Sequence, residues 1–333
     1  MGILKKFTET LRSYKFVYTI HNIFNYKSVR HNKALYKKYD IPKAPFSTIS
    51  SKDFNKKPHA PNWLDKEDAL KALEKNERLK KFTSSIQGQI KSWPDKGFMI
   101  LEKFFSEEQV DKVNQEIDHL LNENKVDFRY NNRKIMFAFK KSKVIKDIAW
   151  DSRLTELLNF VLGRKVLLFQ TINFIKGSEQ RAHSDSVHMT TYPLGNLIAV
   201  WIALEDTHVS NGPLFYYPGS HKLPYVLGQD FETGNTKWKI GGNAYKKYED
   251  KIEEVIRENR LKKVDFYAKK GDVFVWHANL IHGGNPVLDK NSTRKSMVIH
   301  YFCEDVICYH EITERPALFD SYPKSSVQVY DED

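Results

Sequence analysis

Apolar residues along this chain follow two rhythms, and the change comes near residue 163. Before it, spacings of three and four predominate, which is the period of a helix with one apolar stripe. Ile3, Leu4, Phe7, Leu11, Tyr14, Val17, Ile20 or His21, and Phe24 form one such stripe over residues 3–28, with Lys5, Lys6, Arg12, Lys15 and Lys27 mostly away from it. Asp65–Lys81 reads as a charged helix carrying Ala69, Leu70, Leu73 and Leu79. Ser106-Glu107-Glu108-Gln109 is a capping box, and Val110, Val113, Ile117, Leu120 and Leu121 continue it as a helix. A further helix near Arg153–Leu162 stops at Gly163. Between these lie Pro42, Pro45, Pro58 and Pro61 within 41–64, an extended linker or a strap over a surface, and the turn Pro94-Asp95-Lys96-Gly97.

After residue 163 the runs become short, β-branched and aromatic: Val166–Phe169, Ile172–Ile175, Leu197–Leu204, Gly212–Tyr217, Val264–Tyr267, Val273–Trp276 and Met297–Phe302. An earlier run of this kind, Phe98–Leu101, precedes the capping box. Short strands between Gly and Pro turns predict a sandwich or barrel. Residues 243–259 interrupt them with an insertion helix whose face is Tyr245, Tyr248, Ile252, Val255 and Ile256.

Charge changes the picture at one end only. Residues 1–60 hold thirteen Lys and Arg against Glu9, Asp40 and Asp53, a net of +10 of the chain's +11. A nearly neutral body therefore carries a basic extension, which argues against reading the whole chain as a nucleic-acid binder. The 3–28 helix either lies on an anionic membrane surface or a partner, or packs its stripe on the main domain. Lys6 stands where a myristoylation pattern needs Ser or Thr. No apolar run reaches the roughly 18 residues of a membrane span. Lys5 and Lys6 lead into Thr8, Glu9 and Thr10, so no signal peptide is expected. Cys303 and Cys308, the only cysteines, read as ordinary thiols; they exclude a disulfide scaffold and suit a cytoplasmic location.

The candidate chemistry begins at His183-Ser184-Asp185. Residues i and i+2 of an extended segment point the same way, so an imidazole and a carboxylate are presented together. His282, closing the apolar stretch 271–281, is the candidate third ligand. Two histidines and one carboxylate on one face suit non-haem Fe(II). Arg294 follows twelve residues later, beyond a turn-rich connection, and a guanidinium there suits the far end of a dicarboxylate; Ser296 shares its face. Alone, the His-x-Asp pair is a weak signal, and His188, His221 and His277 are expected to be structural or exposed rather than ligands.

Linked motifs sharpen this. Trp201-Ile202-Ala203-Leu204-Glu205-Asp206, Asn211-Gly212-Pro213-Leu214, Pro218-Gly219-Ser220-His221-Lys222, Gly271-Asp272-Val273-Phe274 and His282-Gly283-Gly284 occur in order. With Gly97-Phe98 through Phe105-Ser106-Glu107-Glu108, they resemble the phytanoyl-CoA dioxygenase family of Fe(II)/2-oxoglutarate oxygenases over roughly 95–303. The resemblance implies a mainly β fold with flanking helices around a double-stranded β-helix, a jelly-roll or cupin-like core. It implies Fe(II), 2-oxoglutarate and O2, with His183, Asp185 and His282 as iron ligands and Arg294 on the distal carboxylate. Trp201 matches an aromatic lining the cosubstrate pocket, and Gln170 sits where the family often places a cosubstrate contact. Gly284 departs from members with a hydroxyl residue there, which throws the carboxylate onto Arg294 and Ser296. A retained Asp185 implies hydroxylation, or desaturation or ring closure, rather than halogenation.

The expected organisation is a basic helical extension and Pro-rich linker at 1–94, an oxygenase domain at 95–310 with an insertion at about 226–262, and a tail at 311–333. The expected substrate is a small molecule, lipid or glycan; Trp238, Tyr245 and Tyr248 with Lys237, Lys239, Lys246 and Lys247 place aromatic and basic groups in the insertion. Two other readings stay open: a non-oxygenase metal-binding cupin-like barrel, which has no use for Arg294, and a membrane-surface protein working through its basic N-terminus.

Overall fold

The computed structural model describes residues 13–54, 61–130 and 133–320. Its centre is a seven-stranded antiparallel sheet in the order β1-β9-β6-β11-β4-β3-β2. These strands are β1 (Phe98–Leu101), β2 (Phe128–Arg129), β3 (Lys134–Met136), β4 (Val166–Phe174), β6 (Leu197–Ala203), β9 (Val273–His277) and β11 (Ser296–Cys303). A second sheet runs β10-β7-β8, from β7 (Leu214–Tyr216), β8 (Val264–Phe266) and β10 (His282–Gly284). A third joins β13 (Arg315–Pro316), β12 (Ile307–His310) and β5 (Thr190–Tyr192).

The two faces of the large sheet have different uses. On β6, Ile198, Val200 and Ile202 enter a core shared with flanking helices, whereas Ala199, Trp201 and Ala203 face inward. Phe174, Phe274, Trp276 and Val298 join that inner face, and Leu214, Tyr216 and Phe266 of the second sheet close over it. With both faces covered, β6 is buried along its whole length, so it reads as an unbroken apolar run rather than an alternating one. Ala199 and Ala203 leave space beside the Trp201 indole.

Helices cover the outer face. Ser106 and Gln109 exchange both capping bonds at the start of the helix Glu107–Asn122, and Asp151 caps Ser152–Leu162, which ends at left-handed Gly163. Val110, Val113, Ile117, Leu154, Leu157 and Leu158 enter the outer core.

Several expectations are corrected. Asp65–Lys81 is not one helix: it divides into Trp63–Asp65, Ala69–Lys75 and Glu77–Lys81, because the Asn76 side chain accepts from the Arg78 N–H and restarts the chain. Pro94–Gly97 is not a free turn but the end of the helix Ser84–Lys96, closed by Gly97 at φ +75°. A Cβ there would lie 2.3 Å from the His221 ring. The two runs at 166–175 are one strand, β4, since Gln170 and Thr171 are buried and continue the ladder with β11.

The basic end is described only in part. Residues 1–12 lie outside the described residues, so the start of the expected 3–28 helix and its Lys5, Lys6 and Arg12 do too. The described part, α1 (Lys15–Phe24), buries Lys15 and Asn22 and exposes Phe16, Ile20, Ile23 and Phe24. Lys15 pairs with Glu314 at 2.6 Å, and Asn22 donates to the Phe46 carbonyl. These bonds turn the polar side of α1 inward; of the expected stripe, Ile20 and Phe24 are exposed while Tyr14 and Val17 are half-buried. Cys303 and Cys308 are free and buried. Among the described residues no helix is long and apolar enough to cross a membrane.

Candidate metal centre

The backbone brings the first and last ligand candidates side by side. His183 and His282 form an antiparallel bridge, each N–H donating to the other's carbonyl at 2.9 Å. Their rings lie 4.5 Å apart. Asp185, two residues on, points the same way, so one ligand atom from each of His183, Asp185 and His282 lies within 4.8 Å of the others. All three are buried. Gly283 permits the close strand approach: a Cβ there would meet the Phe215 ring at 2.4 Å.

Hydrogen bonds decide which atoms face the centre. His183 Nδ1 donates to the Arg181 carbonyl at 2.8 Å, and His282 Nδ1 to the Leu280 carbonyl at 2.9 Å. A carbonyl only accepts, so both Nε2 atoms carry lone pairs and turn inward. Asp185 Oδ1 stands 3.9 Å from one Nε2 and 3.8 Å from the other. Its Oδ2 accepts from the Trp276 indole N–H at 2.8 Å. Burial alone would raise the Asp185 pKa, but the imidazoles of His282, His300 and His183 outweigh it and hold the carboxyl well below the usual range. Burial lowers both histidines, chiefly His183, where His282 adds to the effect. The set is thus two neutral imidazoles and one carboxylate, the protonation a divalent metal requires.

Arg294, just before β11, enters the same interior. Its guanidinium lies 5.7 Å from the Phe174 ring and 5.6 Å from Trp201, and Nη1 donates to Ser296 Oγ at 2.8 Å. It is 2% exposed, its Nε has no partner, and among the described residues no carboxylate pairs with it. Burial brings its pKa down to about 10, with Glu205 opposing. A buried cation with an unused donor between two aromatic faces is a fitting cradle for an anionic group. A Cβ at Gly284 would begin 2.3 Å from Ser178 Oγ, a close approach that glycine permits.

Gln170 is buried, but its amide is directed to Met189 Sδ at 3.2 Å and His300 Nδ1 at 3.1 Å. His188 faces His310, His277 faces Asp65, and His221 packs over Gly97 and His277.

Lys134, Gln180, Arg181 and His300 at the site were not anticipated, whereas Tyr245 and Tyr248 were expected on the insertion helix. Lys134 on β3 donates to Gln180 Oε1 at 3.1 Å; burial lowers its pKa while Asp185 opposes. The Gln180 amide meets His183 Nε2 at 3.1 Å and Tyr245 Oη at 3.2 Å. Tyr245 belongs to helix α2 (Ala244–Glu258), close to the insertion helix expected over 243–259. The same helix fastens the ligand segment further. Tyr248 Oη accepts from the Ser184 N–H at 2.9 Å and donates to the Ser184 carbonyl at 3.2 Å. Glu249, Asp250 and Glu253 all grip Arg181. Lys134 gave no sequence signal, being one lysine among many. His300 did: Arg294, Ser296, Val298 and His300 alternate along one face.

Comparison with known proteins agrees with this geometry. The family model for phytanoyl-CoA dioxygenase (PhyH) matches residues 93–296. The phytanoyl-CoA dioxygenase domain-containing protein 1 of Danio rerio is 39% identical over 66 residues, 20% of this chain and 22% of that protein. Its homolog in Dictyostelium discoideum is 23% identical across 64% of this chain and 89% of its own length. EctD from S. alaskensis with bound Fe superposes with a TM-score of 0.52 at 21% identity, covering 67% of this chain and 77% of that one, which shows a shared fold. The chain belongs to the phytanoyl-CoA dioxygenase family of Fe(II)- and 2-oxoglutarate-dependent oxygenases.

Proposed function

We propose that His183, Asp185 and His282 hold Fe(II) at the mouth of a double-stranded β-helix, and that the chain hydroxylates a small molecule with 2-oxoglutarate and O2. The single observation carrying this is the pairing of the three convergent ligand atoms with the buried, carboxylate-free Arg294 in one interior. Arg294 and Ser296 take the far carboxylate of 2-oxoglutarate, with Trp201 and Phe174 shielding it from water. Gln170 supports the site through His300. When bound, iron and 2-oxoglutarate supply oxidative decarboxylation to succinate and CO2 and hydroxylation of a substrate C–H bond. The chain's part is to bind, orient and exclude water. Lys134, Gln180 and Tyr245 offer an ammonium, an amide and a phenol beside His183, which favours a polar small-molecule substrate over a bare acyl chain. The domain reading is an oxygenase body at 95–310 carrying an insertion at about 226–262, flanked by the basic extension and the tail. The test is Fe(II)-dependent conversion of 2-oxoglutarate to succinate in the absence of substrate. Turnover that survives Asp185→Ala removes the reading.

A second contact is favoured by helix α1. Phe16, Ile20, Ile23 and Phe24 are exposed, Phe24 at 85%, and Trp238 at 62% lies beside them, its carbonyl accepting from the Lys15 N–H. Lys27, Arg30, Lys237 and Lys239 are exposed around this patch. Aromatic side chains ringed by cations suit the anionic headgroup region of a membrane, and a cytoplasmic enzyme held peripherally there is the corresponding location. Sedimentation with phosphatidylserine-containing vesicles, released by salt and lost in Phe16→Ser/Phe24→Ser, is the expected result. Equal, negligible pelleting with anionic and neutral vesicles removes this contact.

A further inference from the structure

On the inward face of β11, six residues beyond Arg294, stands a histidine to which the metal reading assigns no role. His300 is buried, and its Nε2 has no hydrogen-bond partner of good geometry, yet lies 3.4 Å from Asp185 Oδ2. We infer that His300, with its tautomer fixed by Gln170, is a positioning residue that makes Asp185 present a single oxygen to the metal. The inference rests on the reading of Asp185 as an iron ligand.

The argument is one of donors and acceptors. Gln170 is the register partner of His300 across the β4–β11 ladder. Its amide nitrogen reaches Met189 Sδ at 3.2 Å and His300 Nδ1 at 3.1 Å. An amide nitrogen only donates, so His300 Nδ1 accepts and the neutral ring carries its proton on Nε2. That nitrogen lies 3.4 Å from Asp185 Oδ2. The opposite amide orientation sets an oxygen against the Met189 sulfur, moves the proton to Nδ1 and leaves a bare lone pair facing a carboxylate. Trp276 Nε1 donates to the same Oδ2 at 2.8 Å. Two ring N–H groups, from β9 and β11 on either side of β6, thus flank one carboxylate oxygen and leave Oδ1 toward His183 and His282. A carboxylate free to turn could offer both oxygens and occupy a position that the cosubstrate needs.

The experiment uses the full chain, free of metal at the start, titrated with Co(II) and followed by calorimetry and visible absorption. The variants are His282→Ala, Gln170→Leu, His300→Phe, which keeps a ring without an N–H, and His300→Gln, which restores a donor. Outer partners of metal ligands typically govern affinity by about 10–100-fold, so His300→Phe should weaken Co(II) within that range and change its absorption band, Gln170→Leu should weaken it less, and His300→Gln should recover most of the loss. If His300→Phe fails to fold, by thermal unfolding of the metal-free protein, the comparison of Gln170→Leu with wild type decides alone. Wild-type Co(II) affinity in both His300→Phe and Gln170→Leu, with His282→Ala deficient, overturns this inference and leaves the ligand reading intact. Equal weakness of His300→Gln and His300→Phe also overturns it, since a packing role would do the same. Wild type binding Co(II) no better than His282→Ala overturns both.

Discussion

Replacing Arg294 by methionine should move stability and cosubstrate affinity in opposite directions. The guanidinium is buried between Phe174 and Trp201 with Nε unpaired. Its pKa falls from 12.5 to about 10, first because of desolvation. A fall of that size corresponds to about 3 kcal/mol by which the folded, ligand-free protein disfavours the charge at neutral pH. Methionine fills similar space without a charge, so the ligand-free variant should be more stable by up to that amount. With 2-oxoglutarate most of that difference closes. At about 100 times its Kd, a ligand stabilises the native state by roughly 3 kcal/mol. Loss of a charge-assisted bidentate contact costs about 2–3 kcal/mol of affinity, some 30- to 150-fold, which leaves the variant with under about 1 kcal/mol of ligand-induced gain. Urea unfolding with Mn(II) as a redox-silent metal, with and without 2-oxoglutarate, reads both quantities. A variant that unfolds earlier than wild type without ligand, and still gains the full shift with it, refutes the reasoning.

Three further outcomes are expected. His183→Ala, Asp185→Ala and His282→Ala should each abolish Fe(II)-dependent succinate formation with little change in the far-UV spectrum; wild-type turnover in any one takes that residue out of the site. Burial lowers His221 and His310 from 6.5 to about 3. Below pH 6.5 the unfolded chain therefore takes up protons that the folded one refuses, and stability should fall between about pH 6.5 and 4 by about 1.4 kcal/mol per unit for each histidine; a flat urea midpoint across that range contradicts it. Tyr248→Phe leaves the buried Ser184 N–H without its partner, a loss of about 1–3 kcal/mol, and should loosen metal binding as well as lower the melting temperature; unchanged values for both count against the clamp.

Much of the body was legible because its determinants are local. The strand Phe98–Leu101 and the Ser106 capping box are written in a few adjacent residues, and both occur as expected. The His-x-Asp pair was legible for the same reason: period two is a property of extended backbone. What sequence could not supply was partnership across the fold. Gln170 looks like a pocket residue until its cross-strand neighbour is seen to be His300. Lys134 is one lysine among many until β3 places it against Gln180. Helix α1 occurs where its period places it, but its orientation was not legible. Its stripe has the correct period, but period alone does not say which side meets the protein. Lys15 with Glu314, and Asn22 with the Phe46 carbonyl, fix the polar side inward, and neither partner is near in sequence.

The insertion accounts for how the first two ligand positions are kept in register. The segment 180–185 lies outside the sheets and meets the strands through the His183–His282 bridge, the Gly284 N–H to the Gln180 carbonyl, and the Trp276 N–H to Asp185. One antiparallel bridge cannot by itself fix the direction in which Asp185 leaves the chain. Helix α2 adds contacts at three residues of that segment: Tyr245 at Gln180, three acids at Arg181, and Tyr248 at Ser184. The helix is held in turn by its own core, in which Tyr248, Ile252 and Ala244 pack with Phe231, Val226 and Ile281. Just before it, the turn 236–240 pairs with Ser13–Lys15 at the root of α1, through Lys15 N–H to Trp238 O and Ile240 N–H to Ser13 O. One insertion therefore fastens the ligand segment at one end and carries part of the exposed aromatic patch at the other. The strands alone would hold the His-x-Asp segment by a few bonds at Gln180, His183 and Asp185; the helix adds the rigidity that a preorganised metal site requires.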